Sequence, residues 1–549
     1  MGQLHQTTNP KFGPTAFEHL PSNSSGQITV QDPATWSHQS ITVQLLVLFL
    51  TLVFVTIIRR RYFSPLSHIP GPFLASFSRL WHLRYIIRGD QQVVLAKAHE
   101  KYGPFVRIAH DEVSVCHENA VKSLFIAPLH KSKWYKIFVL PDYRTTAPLG
   151  MRDPKDKLRL NTNFRQGYEA KHVIRSEPYM DEVLVKLFSW LDRSSEEKTP
   201  LKLGDFFSYA AYDITGEVTF SKSFGFTDKG EDIGGAIAMN EAMELFFVLF
   251  GYIRYISYIF CNPLTTWLEV LPLGYMGEKA KSALAERKKN PDARFDIAAH
   301  WFRSLEKNGE SKIWNDDMVV AAAISNLGAG SDTVSCAMQS FVYHLIRHSN
   351  AWRRIRDEID TAQKDGRCQD EIITYDDAAR LPFLQANIKE ALRIFAPVPM
   401  GLPRVVPKGN VKFGDISFSE GTVLSCNPYV LQTSKDLWGP DAAEFNPDRW
   451  FGPNAANLER FFCPWGAGWA SCPGQHLARI QMSKMAATLV RDYDFRQVKP
   501  KEEWEYKATP TPQIHQAQHK LAPKESPSSH DGAGAVEPPW GDPAGSRSS

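Results

Sequence analysis

Trp465-Gly466-Ala467-Gly468-Trp469-Ala470-Ser471-Cys472-Pro473-Gly474 runs directly into an apolar, helix-like stretch from Gln475 to Tyr493. A cysteine just ahead of a helix, after a glycine-punctuated loop, suits a thiolate, because the unpaired N–H groups and the dipole of a helix start favour an anion. Gly466, Gly468 and Gly474 lack a Cβ. They tolerate positive φ in a tight loop, and they would let a large flat ligand approach the backbone. The competing reading is a surface loop that carries a buried free cysteine into a core helix.

Working outward, Ala329-Gly330-Ser331-Asp332-Thr333 lies inside Asp316 to Arg347, whose apolar period predicts a long buried helix. Glycine inside a helix costs about 1 kcal/mol relative to alanine, and a buried carboxylate costs more unless paired or wet. A flat cofactor or small ligand approaching at Gly330 would offset that cost, with the Thr333 hydroxyl and Asp332 relaying protons. The alternative has Thr333 bonding back to the carbonyl four residues earlier, with Asp332 facing a polar crevice. Further on, the ends of Glu390-Ala391-Leu392-Arg393 share one helical face and can pair. Phe445-Asn446-Pro447-Asp448-Arg449-Trp450 offers a second arginine to the same glutamate.

The 549-residue chain carries 63 basic and 60 acidic residues, a net charge of +3, which gives no support for a nucleic-acid-binding surface. Its seven cysteines are odd in number, scattered and without a Cys-x-x-Cys pair. That usage fits a reducing compartment and argues against a disulfide framework or structural zinc.

Four segments follow from composition. Residues 1–40 are polar and without period, and are expected to be a loosely ordered tail containing the sequon Asn23-Ser24-Ser25. Ile41 to Ile58 carries no charge and as a helix spans roughly 27 Å, enough for a hydrocarbon core. With Arg59, Arg60 and Arg61 it forms a membrane anchor over 41–61, the arginines cytosolic and the tail lumenal. After the stiff turn Ile69-Pro70-Gly71-Pro72, residues 62–507 read as a globular domain. A hairpin is predicted over Phe105–Cys116, helices over Asp205–Phe220, Asp316–Arg347, Asn350–Gln363 and Leu384–Phe395, strands over Leu402–Leu424, and a loop over Asn427–Cys463. Residues 508–549 are rich in Pro, Ser, Gly, His and Gln, and are expected to be a low-complexity, disordered tail.

In combination, the Gly-Asp-Thr helix, the Glu-x-x-Arg helix about 60 residues later, the arginine loop and the glycine-flanked cysteine resemble the cytochrome P-450 family of haem-thiolate monooxygenases. The resemblance covers residues 62–507. It implies a mainly α fold with small β-sheets, an α+β arrangement in which the long central helix passes over haem b, iron protoporphyrin IX. Cys472 matches the axial ligand of the haem iron, and Asp332 and Thr333 match the proton-delivering pair. Trp465, Gly468, Gly474 and Ala329 are expected against the cofactor, and Glu390, Arg393 and Arg449 match the family's structural network behind it. Also implied are O2, a lipophilic small-molecule substrate that is hydroxylated or demethylated, and an NADPH-dependent cytochrome reductase. The setting would be the endoplasmic reticulum membrane, with a single pass and a cytosolic catalytic domain. Lys133-Trp134-Tyr135 and the run from Cys472 to Ala478 are similar to fungal enzymes near pisatin demethylase, in secondary metabolism or detoxification.

Three departures stand out. Trp465 replaces the usual Phe. Ala470 replaces an arginine that pairs with a haem propionate, and a methyl group supplies neither charge nor donor. A second family donor should fall between Lys155 and Arg165; Arg404 is the first candidate for a propionate partner, with Lys157 and Arg159 behind it. Only low-complexity sequence follows Tyr506, so either the hairpin that closes the family's substrate pocket is missing or the reading frame near residue 508 is not the natural one. Ala470 and the missing hairpin favour a second function, a haem-thiolate protein without oxygenase turnover, such as an isomerase, a dehydratase or an inactive relic. Asp332 and Thr333 speak against it.

Overall fold

Asp316–Arg347 forms one continuous 32-residue helix. Its start is fixed by Asn315, whose side chain accepts from the Met318 N–H, and by Asp316 and Asp317 in the first turn; His344 and Arg347 complement the dipole at its end. Most of this central helix is buried, chiefly against the helix Leu203–Phe220. The helices Pro382–Ile394 and Gln475–Asp492 also pack on it, and Ser340 Oγ donates to the Ala391 carbonyl across the first of these contacts. The helix Ala236–Phe250 contributes Asn240, which reaches the central helix at Gly328 and Asp332.

The computed structural model describes residues 33–253, 255–268, 273–499, 506–508, 512–514 and 519–523. Two compact units divide at Arg59. The first described helix runs from Pro33 to Tyr62, so the boundary expected at residue 40 falls inside a helix. Its portion Ile41–Tyr62 has a mean hydropathy of 2.7, is unburied, and is long and apolar enough to cross a membrane. The sequon at Asn23 lies outside the described residues.

In the larger unit, β1 (Phe105–Ala109) and β2 (Glu112–Val115) form the expected hairpin. Strands β3 (Leu402–Val405), β4 (Val411–Phe413), β5 (Ile416–Phe418) and β6 (Val423–Cys426) fill the region read as strand-like. The main sheet has the order β1-β2-β6-β3, with β2 and β6 parallel, while β4 and β5 pair separately. One hydrophobic core surrounds the central helix; a second, including Val106, Val113, Phe418 and Leu424, lies at the sheet. The segment expected as a loop over Asn427–Cys463 contains the short helices Pro428–Gln432 and Lys435–Trp438.

The C-terminal expectation is corrected. Strand β7 (Tyr493–Gln497) is followed by β8 (Tyr506–Ala508) and β9 (Pro512–Ile514), an antiparallel hairpin, and then by β10 (His519–Pro523), which pairs with β7 from Gln497 to Tyr493. Backbone pairing therefore continues past residue 508, so the hairpin is present. Residues 524–549 lie outside the described residues.

Candidate active site around Cys472

The cysteine loop is closed by its own backbone. Cys472 N–H donates to the Trp465 carbonyl at 2.9 Å, and Gly466 N–H to that of Cys463 at 2.9 Å. Gly466 and Gly468 take φ of 64° and 66°, the left-handed conformation that favours glycine, whereas Gly474 has an ordinary φ of −77°. A Cβ on Gly468 would stand 2.5 Å from the Phe125 carbonyl oxygen, so this glycine is required by a neighbouring backbone segment. Trp465 is clasped by Phe462, edge to face, and by the Arg479 guanidinium, 4.6 Å from its ring centre.

Six of the seven cysteines are buried; Cys472 is the one with partial exposure. Burial pushes its thiol above the ordinary range, while the Gly474 N–H and then the charges of Arg165 and Lys157 pull it back. The helix Pro154–Phe164 and the residues after it supply those cations, and Arg165 Nη1 donates to Ser471 Oγ at 3.2 Å.

Glu390, Arg393 and Arg449 come together. Arg393 is bidentate to Glu390 at 2.9 and 2.8 Å, and Arg449 Nε donates to Glu390 Oε1 at 2.9 Å. Trp450 Nε1 and the Asn446 N–H complete the carboxylate's partners, both at 3.0 Å. Arg393 uses its remaining donors on the carbonyls of Gln432, Ala442 and Glu444, and Arg449 reaches Asp441. The network ties the Pro382–Ile394 helix to the segment 432–450, which leads to the cysteine loop.

On the central helix, Ala329 is exposed although most of its helix is buried, and Thr333, one turn on, is partly exposed on the same face. Thr333 Oγ1 donates to the Ala329 carbonyl at 2.9 Å, the back-bond of the alternative reading. Asp332 is buried and accepts from Asn240 Nδ2. Burial lifts its carboxyl to about 7, against the pull of the Asn240 hydrogen bond, and Glu241 adds repulsion. A Cβ on Gly330 would meet Thr215 Oγ1 at 2.7 Å. The glycine therefore admits the neighbouring helix, which corrects the expectation that it admits a cofactor. Asn240 is the functional side chain that sequence reading missed; a lone asparagine on an apolar helix gives no motif.

The cytochrome P-450 family model matches residues 70–520, most of the chain. The chain belongs to the cytochrome P-450 family. Among relatives of this P-450, a cytochrome P-450 monooxygenase of Penicillium aethiopicum is 29% identical over 465 residues, covering 81% of this chain and 91% of its own. One of Sarocladium schorii is 29% identical over 507 residues, 84% of this chain and 93% of its own. A pisatin demethylase of Fusarium vanettenii is 28% identical over 451 residues, 79% and 84% of the two chains.

Membership implies a haem-iron cofactor, and monooxygenases of this family take electrons from a redox partner and use O2. The basic residues near Cys472 fit a porphyrin that carries two carboxylates. Arg404 is 2% exposed, yet its Nε has no hydrogen-bond partner among the described residues. Lys157, 7% exposed, has neither a hydrogen-bond nor an ion-pair partner among the described residues, and burial lowers it to about 7. Arg159, by contrast, points outward with its side chain 75% exposed and does not belong to the site. Buried cations without counterions are costly, so this arrangement calls for an anion.

Proposed function

We propose that this P-450 is a membrane-anchored haem-thiolate monooxygenase that hydroxylates or demethylates a lipophilic small molecule, with Cys472 as the axial ligand of haem b. The observation that carries it is Cys472 itself, the one partly exposed cysteine, set at a helix start under the Gly474 N–H. When bound, haem iron with a thiolate ligand supplies activation of O2 and cleavage of its O–O bond.

The chain's residues divide the remaining work. Helix-start N–H groups, Arg165 and Lys157 favour the thiolate form of Cys472. Arg404 and Lys157 would hold the cofactor's carboxylates. Asp332, at about 7, exchanges its proton close to neutral pH, and Asn240 fixes the carboxylate's orientation. Thr333 keeps oxygen lone pairs free after donating to Ala329, and so can accept a hydrogen bond from a water on the exposed Ala329 face. Glu390, Arg393 and Arg449 are assigned to holding the segment behind the cofactor rather than to chemistry.

The apolar helix Ile41–Tyr62 supports anchoring, and the arginines at its end support a cytosolic catalytic unit on the endoplasmic reticulum, served by an NADPH-dependent reductase. The name pisatin demethylase among the relatives supports demethylation, and the reading of hydroxylation or demethylation in secondary metabolism or detoxification rests on it. The alternative without turnover loses one of its two supports, since the β8–β9 hairpin is present.

The test is spectroscopic first. The reduced, carbon-monoxide-bound protein should show the red-shifted band of a thiolate ligand, and Cys472→Ala should abolish it. A band that survives this substitution refutes the ligand assignment. Product formation that requires a reductase, NADPH and O2 then separates oxygenation from rearrangement.

A further inference from the structure

The helix Gln475–Asp492 leaves the cysteine loop and runs 18 residues, so its far end lies on the order of 25 Å from that loop. Its last residue, Asp492, and Tyr493 after it line a cavity of about 370 Å³. The helix Glu177–Glu196 supplies another wall, with Phe188, Asp192, Ser195 and Glu196 on one face at helical spacing, and Glu371 and Ile372 add a third. The volume falls within the roughly 300–1,000 Å³ usual for small-molecule sites.

Part of the polar lining is already satisfied. Arg491 donates to both oxygens of Asp492, at 2.6 and 2.9 Å, and the Tyr493 hydroxyl donates to Asp192. Ser189 Oγ donates to the Val185 carbonyl, and Thr488 Oγ1 accepts from the Ile373 N–H. What remains can only accept from a cation or a donor. Glu196 and Glu371 have no hydrogen-bond or ion-pair partner among the described residues, and Asp192 has no cation there. Ser195 is 6% exposed and lines the cavity, yet its hydroxyl has no hydrogen-bond partner among the described residues. Two helices also end here, at Glu196 and at Asp492, so the negative ends of two dipoles add to the carboxylates. Among the described residues no three acids, histidines or cysteines are placed to hold a metal ion. The floor is apolar: the Phe188 and Tyr493 rings lie nearly parallel, 6.0 Å apart, beside Val185 and Ile372. Dispersed carboxylates over such a floor suit a cation whose charges are themselves separated by methylenes.

We propose that this cavity binds an aliphatic polyamine, with ammonium groups on Glu196, Glu371 and Asp192 and the methylene chain over Phe188, Ile372 and Tyr493. The Ser195 hydroxyl accepts from one of the N–H groups. The site is separate from Cys472 and its cofactor, and it holds whether or not the chain oxygenates a substrate.

Calorimetric titration of spermidine into the full-length, haem-loaded protein at low ionic strength tests this, and should show one saturable site. Glu196 and Glu371 are exposed, so the double variant Glu196→Gln, Glu371→Gln should keep its haem content and melting temperature while binding spermidine about tenfold more weakly. Ser195→Ala should weaken binding about threefold. Putrescine, with one ammonium group fewer, should bind about tenfold more weakly than spermidine, and Mg2+ at equal concentration should not displace spermidine. Uptake that does not saturate, a double variant that binds as wild type does, or displacement by equal Mg2+ overturns the assignment and leaves only general attraction to an acidic surface. Pro523 pairs with Tyr493 in the cavity wall, and Lys524 follows it in the chain. A chain ended at Pro523 should therefore bind spermidine as the full-length protein does; tighter binding would make Lys524 the natural occupant and would equally overturn the assignment.

Discussion

Asn240, on the helix Ala236–Phe250, donates its amide to the buried carboxylate of Asp332 and, at 3.3 Å, to the Gly328 carbonyl of the central helix. The contact depends on a missing side chain, because a Cβ on Gly328 would lie 2.5 Å from Asn240 Oδ1. Two helices that sequence places far apart are therefore joined at the acid assigned to proton delivery, and the amide favours the acid's charged form.

Removing that amide should move the pH dependence of turnover. Asp332 stands at about 7 with the Asn240 bond in place. In Asn240→Leu the carboxylate loses a donor, so the limb of the pH–rate profile governed by Asp332 should shift upward by about one unit. Product formation measured across pH 5–9 checks this; a profile superimposable on wild type would detach Asn240 from the acid.

Asp332→Asn should separate stability from activity. The folded carboxyl titrates at about 7 against an ordinary 3.8. The folded state therefore holds the proton more tightly, and this contribution to stability is full below the unfolded value and is lost as pH rises through 7. At pH 8 the native protein carries a buried charge that asparagine lacks, so the variant should be more stable there by about 4 kcal/mol and close to wild type near pH 4. Denaturant melts at the two pH values test the sign, while turnover should fall by about 10- to 100-fold.

Gly330→Ala should destabilise the protein by about 1–3 kcal/mol through overpacking, since the new methyl meets Thr215 Oγ1. Thr215 Oγ1 is buried without a hydrogen-bond partner among the described residues, so Thr215→Ala removes the obstruction and an unsatisfied hydroxyl together. The double variant should recover most of the lost stability and haem content. If haem content stays low while the melting temperature recovers, the glycine serves the cofactor face after all.

The central helix was legible to the residue because Asn315, Asp316 and Asp317 cap its start and its apolar period runs unbroken to Arg347. Glu390 and Arg393 were equally legible, being one helical turn apart. Gly330 was misassigned for a physical reason: a helical glycine looks the same whether a ligand or a neighbouring helix fills the space of its Cβ. Asn240 acts through a partner 92 positions away, in Asp332, and no local period records such a contact. Strand β10 was lost in a polar, proline-containing segment because its order comes from pairing with β7, not from its own propensity.

Glu390→Gln keeps the shape of the network and removes its charge. Arg449 would then keep only Asp441, whose side chain is 35% exposed, and the fully buried Arg393 would have no carboxylate partner among the described residues. Leaving a buried guanidinium without its partner costs about 3–5 kcal/mol, so the variant should accumulate as haem-poor, aggregation-prone protein. Haem-to-protein ratio by absorbance, with solubility on expression, measures this. The double variant Glu390→Gln, Arg393→Met should recover part of the loss, since it removes the stranded charge.

The C-terminal pairing gives the last prediction. Strand β10 pairs with all five residues of β7, from His519 opposite Gln497 to Pro523 opposite Tyr493, and β7 carries the buried side chains of Tyr493 and Phe495. A chain ended at Ile514 leaves that edge unpaired and should lose on the order of 2 kcal/mol, allowing a fraction of a kcal/mol to about 1.5 for each backbone hydrogen bond. A chain ended at Pro523 keeps the pair and should melt as the full-length protein does. Thermal melts of the two truncations decide whether the segment beyond residue 508 belongs to the folded unit; equal melting of both would return it to the structureless tail that its composition suggests.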